Sequence, residues 1–170
     1  MSPQGALSRA LVTGCNGLAR AVQLAVLLLA LAMLASLTLQ VLMRYVFNQA
    51  PTWTEELAVT CFSWCMLLSI GLGVRHAIHV RMELLVDHLP PALRRWVDRL
   101  VTLAIALAGA FIAWYGVLYV LDSGGSRSAA IGYPLAWLYA SAPACGALMA
   151  VFALEHVLRG PVAPSTPSSP

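Results

Sequence analysis

AVQLAVLLLALAMLASLTLQVLM, residues 21–43, runs for 23 residues without a Lys, Arg, Asp or Glu. An α-helix rises about 1.5 Å per residue and the hydrocarbon core of a bilayer is about 30 Å thick, so this run can cross it. Three more such runs follow, Leu57–Val74, Leu100–Leu121 and Leu135–Leu154, of 18, 22 and 20 residues. The second spans only with help from its flanks. The expected fold class is all-α integral membrane, with four transmembrane helices.

Composition points the same way. Only 10% of the 170 residues are charged, against roughly 25% in a soluble domain. A transmembrane β-barrel is excluded, because its strands alternate faces over about ten residues instead of staying apolar for twenty. The net charge of +3 comes from arginine alone, since the chain has no lysine. Eight of the ten arginines (Arg9, Arg20, Arg75, Arg81, Arg94, Arg95, Arg99 and Arg159) precede span 1, separate spans 2 and 3, or follow span 4. The positive-inside rule makes those segments cytoplasmic. Both termini are then inside, and loops 44–56 and 122–134 face the outside or periplasm. Arginines beside spans are explained by orientation and membrane lipid, so no nucleic-acid partner is expected.

The expected organisation is a cytoplasmic leader (1–20), a four-helix membrane domain (21–158) and a disordered, Pro- and Ser-rich cytoplasmic tail (159–170). The first apolar run exceeds the 7–15 residues of a signal-peptide core and reads as a span. Cys61, Cys65 and Cys145 lie in spans and Cys15 in the leader, which suits packing better than disulfide or metal chemistry.

Each loop has its own chemistry. In the first outer loop Pro51, Thr52 and Glu55 fit a helix start with a capping box, and Glu56 adds a second carboxylate where the helix dipole favours one. Trp53 suits a membrane interface. In the inner loop, apolar Met82, Leu84, Leu85, Val86 and Leu89 alternate with polar residues before Pro90–Pro91. This predicts a short amphipathic surface helix between spans 2 and 3. Leu93, Trp96, Val97 and Leu100 then recur at helical spacing, so the third helix begins outside the membrane. The second outer loop, rich in Ser and Gly, is expected to be flexible. Pro143 should kink the fourth helix. Gly109 with Ala113, and Ala142, Gly146 and Ala150, form small-residue faces that fit close helix contact, within the chain or with another subunit. Arg75 and His79 share a face at the inner end of span 2, where the helix dipole favours cations.

Taken in order, Arg44-Tyr-Val-Phe-Asn48, Trp53-Thr-Glu-Glu56, Trp64, Gly71, Arg75 and His79, then Ile131-Gly-Tyr-Pro134, Trp137, Tyr139 and Pro143, resemble a known family. It is the small, DctQ-like integral-membrane subunit of the TRAP (tripartite ATP-independent periplasmic) transporters. The likeness runs from about residue 20 to 158. One departure is local: the family often has Gly two residues after the last helix's proline, whereas Gly146 lies three after Pro143.

The resemblance implies an inner-membrane, non-enzymatic subunit without cofactor or metal. It implies two partners, a large TRAP membrane subunit and a periplasmic solute-binding protein that delivers an organic acid for ion-driven, sodium-coupled import. Arg44, Asn48, Trp53, Glu55 and Glu56 outside, with Arg75 and His79 inside, become candidate partner-interface residues. The first three helices and the surface helix would brace the large subunit, and the outer loops would receive the binding protein. Two other classes fit less well. A subunit holding b-type haem needs histidines inside facing helices, yet His76, His79, His88 and His156 lie at or beyond the inner ends. An independent small multidrug-type transporter needs an acid at mid-membrane, which no span contains.

Overall fold

The computed structural model describes residues 3–49, 51–86 and 91–159. Five α-helices succeed one another: α1 (Pro3–Val46), α2 (Thr52–Val86), α3 (Pro91–Asp122), a single turn α4 (Ala136–Tyr139) and α5 (Ser141–Arg159). A 3₁₀ turn, Ser123–Gly125, follows α3. Four segments are long and apolar enough to cross a membrane: Thr13–Val46, Thr52–Arg75, Arg99–Gly125 and Ala136–His156. Each contains one of the four expected runs, give or take its ends.

The helices outlast their spans. At 44 residues, α1 is about 66 Å long, so leader and first span form one rod. Met82–Val86, expected in a separate surface helix, instead continues α2. No Gly or Pro stands between Gly73 and Asp87 to break it. The rest of that expected helix, 87–89, and the tail from 160 onward lie outside the described residues. Helix α3 does start at Pro91, well ahead of its span.

α2 and α5 form the central pair, with α1 packed mainly on α2 and α3 mainly on α5. Cross-helix partners advance together along both chains: Thr60 meets Tyr133, Trp64 meets Trp137, Gly71 meets Leu148 and Arg75 meets Glu155. The central pair is therefore parallel. Near the end expected to be inner, Ala19 and Val22 of α1, Leu68 of α2 and Leu148 and Phe152 of α5 make the buried apolar core.

The fourth span breaks where its proline dictates. Pro143 has no N–H for the Tyr139 carbonyl, and the helix is interrupted at Ala140. Ser141 caps the break by donating its hydroxyl to the Leu138 carbonyl at 2.6 Å.

Small residues join α3 to α5 within the chain. A Cβ at Gly109 would lie 2.9 Å from both Ala150 N and Gly146 O, and one at Gly116 would lie 2.8 Å from Pro143 Cδ. Gly146, offset by one from the family's usual position, itself meets Gly109 and Ala113 backbone. Lipid tails are as apolar as leucine, so this pair is held by backbone proximity and dispersion. We expect Gly146→Ala to lower the thermal midpoint in detergent, by about 1–3 kcal/mol of overpacking. Gly73→Ala, in the helix interior with nothing within 4 Å of its Cβ, should leave it unchanged or raise it.

Candidate functional site

The polar side chains of this apolar bundle gather at its two ends. At the end expected to be outer, α2 begins beside the segment that links α3 to α4. The Glu56 carboxylate accepts the Ser128 hydroxyl and two backbone N–H groups, Ala130 at 2.8 Å and Ile131 at 3.2 Å. Carboxylate–amide bonds of this kind are among the stronger hydrogen bonds. Below it, the hydroxyls of Thr60 and Tyr133 are 2.7 Å apart, and the Trp64 indole donates to the Trp137 carbonyl at 3.0 Å.

These bonds give the second outer loop a definite shape, where the sequence suggested a flexible one. Ser128 N–H donates to the Tyr133 carbonyl and Leu135 N–H to the Ser126 carbonyl. Arg127 and Pro134 pair as an isolated antiparallel bridge. Gly132, at φ +74°, turns the chain between them.

The first outer loop is ordered from the α1 side. Asn48 takes φ +52° just past the end of α1, a left-handed conformation that Asn tolerates. Gln49 N–H then reaches back to the Met43 carbonyl at 3.1 Å. Glu55, expected to close a capping box, accepts the Gln40 amide of α1 at 2.6 Å. The buried Ser36 hydroxyl donates to the Thr54 carbonyl at 2.8 Å.

At the opposite end, expected to be inner, Arg75 joins three helices. Its guanidinium donates to Asn16 Oδ1 of α1 at 2.6 Å and to Glu155 Oε1 of α5 at 3.2 Å, and lies 5.3 Å from the Phe152 ring centroid. Glu155 is buried, its side chain 5% exposed. An isolated carboxylate would be costly there, and the arginine offsets part of that cost.

The structure thus distributes the sequence candidates. Glu55 turns to α1 and Glu56 to the 128–131 turn, while Asn48 ends a helix. Arg44 and Trp53 are exposed at the outer end. Arg75 enters the inner knot, and the side chain of His79 lies outside the described residues. Glu155, Asn16 and Ser128 escaped the sequence reading. Arg75 and Glu155 had a legible signal: opposite charges just past the inner ends of spans 2 and 4, on the same side of the membrane. Ser128 had none, because only the folded loop brings it to Glu56. Among the described residues no group of three His, Cys, Asp or Glu could hold a metal ion.

Comparison with known proteins supplies the context for these knots. Residues 33–161 match the family described as tripartite ATP-independent periplasmic transporters, DctQ component. The chain is 28% identical over 119 residues to the sialic acid TRAP transporter permease protein SiaT of Haemophilus influenzae, covering 70% of this chain and 19% of that protein. It is 27% identical over 134 residues to the small permease protein SiaQ of Vibrio cholerae, covering 75% and 74% of the two chains. It is 29% identical over 115 residues to the ectoine TRAP transporter small permease protein TeaB of Halomonas elongata, covering 66% and 60%. The chain thus spans about a fifth of the first relative and three-quarters of the second.

Two outcomes test the knots. Glu56→Ala should raise hydrogen exchange at the Ala130 and Ile131 amides roughly tenfold or more, by removing their acceptor. Glu55→Ala should leave those amides protected. At the opposite end, Arg75→Met alone takes the cationic partner from a buried carboxylate and should cost about 3–5 kcal/mol in detergent unfolding. The Arg75→Met/Glu155→Leu double variant should recover much of that loss.

Proposed function

Because the chain belongs to the family of tripartite ATP-independent periplasmic transporters, DctQ component, we propose that it braces a large membrane subunit in a multi-pass inner-membrane importer. The arginine distribution supports cytoplasmic ends, placing the Glu56 knot outside and the Arg75 knot inside. One observation carries the bracing role: the parallel central pair is pinned at both ends. Glu56 and Arg75 are 19 residues apart on α2, about 28 Å along a helix, which matches a hydrocarbon core of about 30 Å. Each pin joins α2 to the α3–α5 half, so the two halves resist sliding past one another.

The same pins argue against transport by this chain alone. Intramembrane ionisable groups are the usual carriers of protons and ions. Here Arg75 and Glu155 neutralise one another, Glu56 is held by the outer turn, and the interiors of the spans have no acid. Coupling to a sodium gradient and recognition of an organic acid would then reside in the large subunit. The solute is set elsewhere too: relatives of similar identity carry names for sialic acid, ectoine and C4-dicarboxylate transport.

The outer turn is the landing surface we assign to a periplasmic binding protein. Ala129, Ala130 and Ile131 are exposed there, with Arg127 beside them. Glu56 acts on docking through the shape of this turn. The test is co-expression of the tagged chain with its large partner and binding protein, followed by sodium-driven uptake of labelled carboxylates in proteoliposomes. Uptake should require all three proteins. Glu56→Ala should lower it several-fold at limiting binding protein and less at saturating binding protein, with the free binding protein's solute affinity unaltered. Full uptake without this chain would refute the bracing role, and wild-type uptake by Glu56→Ala would refute the docking role.

A further inference from the structure

We propose that Arg20 and Arg75 together bind one phosphate group, of the kind a phospholipid headgroup carries, at the end of the bundle expected to be inner. The site needs only a chain embedded in a membrane, so it stands apart from the transporter-subunit reading.

Arg20 poses the problem. Asn16 of α1 touches Arg75, so the two share a level, the one that closes the hydrocarbon-length interval between Arg75 and Glu56. Arg20 follows Asn16 by four residues, which puts its backbone about 6 Å inside that boundary and on nearly the same face of α1. It is exposed and has no hydrogen-bond or ion-pair partner among the described residues. A guanidinium is costly in hydrocarbon, so this one must extend to the polar boundary. Arg99 on α3 differs. Gly109 lies against Gly146 and Ala150, and Gly116 against Pro143, so α3 runs antiparallel to α5. That register puts Arg99 past the level of Glu155, outside the hydrocarbon.

Helix direction decides where the Arg20 side chain goes. Side chains lean toward the N-terminus of their own helix. α1 starts at this end, so Arg20 leans back over Asn16. α2 runs the other way, so Arg75 leans toward the level of Arg20. The two guanidiniums are brought toward one another beside Asn16, an approach that an anion between them would stabilise.

Arg75 supplies the second half of the site. Its bonds to Asn16 and Glu155 both come from Nη2, and its face lies over Phe152. The Nε–Nη1 edge has no partner among the described residues, and the side chain is still 19% exposed. Parallel N–H groups on such an edge match two oxygens of a phosphate. Glu155 balances one of the two positive charges, and the other matches the single negative charge of a phosphodiester. Past Arg20 the same face continues as exposed Leu24 and Leu28, which suits acyl chains. Basic pockets between membrane helices hold lipid headgroups by this chemistry.

The test is native mass spectrometry of the full chain, stripped of lipid in mild detergent. It is titrated with phosphatidylglycerol, with diacylglycerol of the same tails, or with inorganic phosphate. The wild type should retain one phosphatidylglycerol and no diacylglycerol. Arg20→Gln breaks no contact within the chain, so its thermal midpoint without lipid should match the wild type while its lipid retention falls several-fold. Arg20→Lys should restore part of that retention, and Arg99→Gln should leave it unchanged. The Arg75→Met/Glu155→Leu variant should lose the lipid as Arg20→Gln does. If inorganic phosphate is retained with the same dependence on both arginines and the lipid is not, the phosphate site stands with a soluble anion as its ligand. Equal retention of diacylglycerol, or unchanged retention in either arginine variant, overturns the proposal.

Discussion

Hydrocarbon cannot hydrogen-bond, and that constraint organises this molecule. Every polar group within the membrane must find its partner inside the protein. The chain meets the demand by keeping charge out of the span interiors and by pairing the polar side chains at their ends. Glu56 is satisfied by a hydroxyl and two amides, Arg75 by Asn16 and Glu155, and Ser36 and Thr60 by neighbours across helix boundaries. The lipid-facing sides then need only be apolar, which is why so much of α1 and α3 is exposed leucine.

Holding such helices together is a separate problem, because lipid removes the hydrophobic drive between them. The chain solves it differently at each contact. α3 and α5 approach through Gly109, Gly116 and Gly146, where absent side chains let backbones meet. α1 and α2 share bonds from Ser36 and Gln40. The central pair meets at Gly71 and is tied at both ends. Dispersion acts only over a few ångströms, whereas the end bonds fix register, so each device supplies what the other lacks.

Much of this was legible in the sequence. The length and purity of the four runs gave the spans, Pro143 announced the break at Ala140, and the Gly–Ala spacing marked the face that packs. What failed did so for long-range reasons. The Ser- and Gly-rich loop looked mobile because local composition carries no trace of Glu56, 72 residues before Ser128. The separate surface helix was inferred from amphipathic spacing, yet with no Gly or Pro between Gly73 and Asp87 the backbone had no reason to stop before Val86. Adjacent Glu55 and Glu56 read together as helix-start carboxylates and candidate interface residues, but neighbours on a helix point about 100° apart, and each found a different partner within the chain.

That divergence bears on how the proposed brace would also serve as the proposed landing site. A bare carboxylate at the surface could attract a partner, but it would cost side-chain entropy to fix it there. A carboxylate already bound by the turn has met that cost during folding, and what it presents is a shaped backbone surface. Substitutions at Glu56 and at the exposed tip are therefore expected to differ in kind. The first disorders the turn and weakens docking through lost preorganisation, while the second leaves the turn intact and removes only what it touches. Since the same residue also ties the start of α2 to that turn, the proposed docking surface would be linked mechanically to the helices behind it.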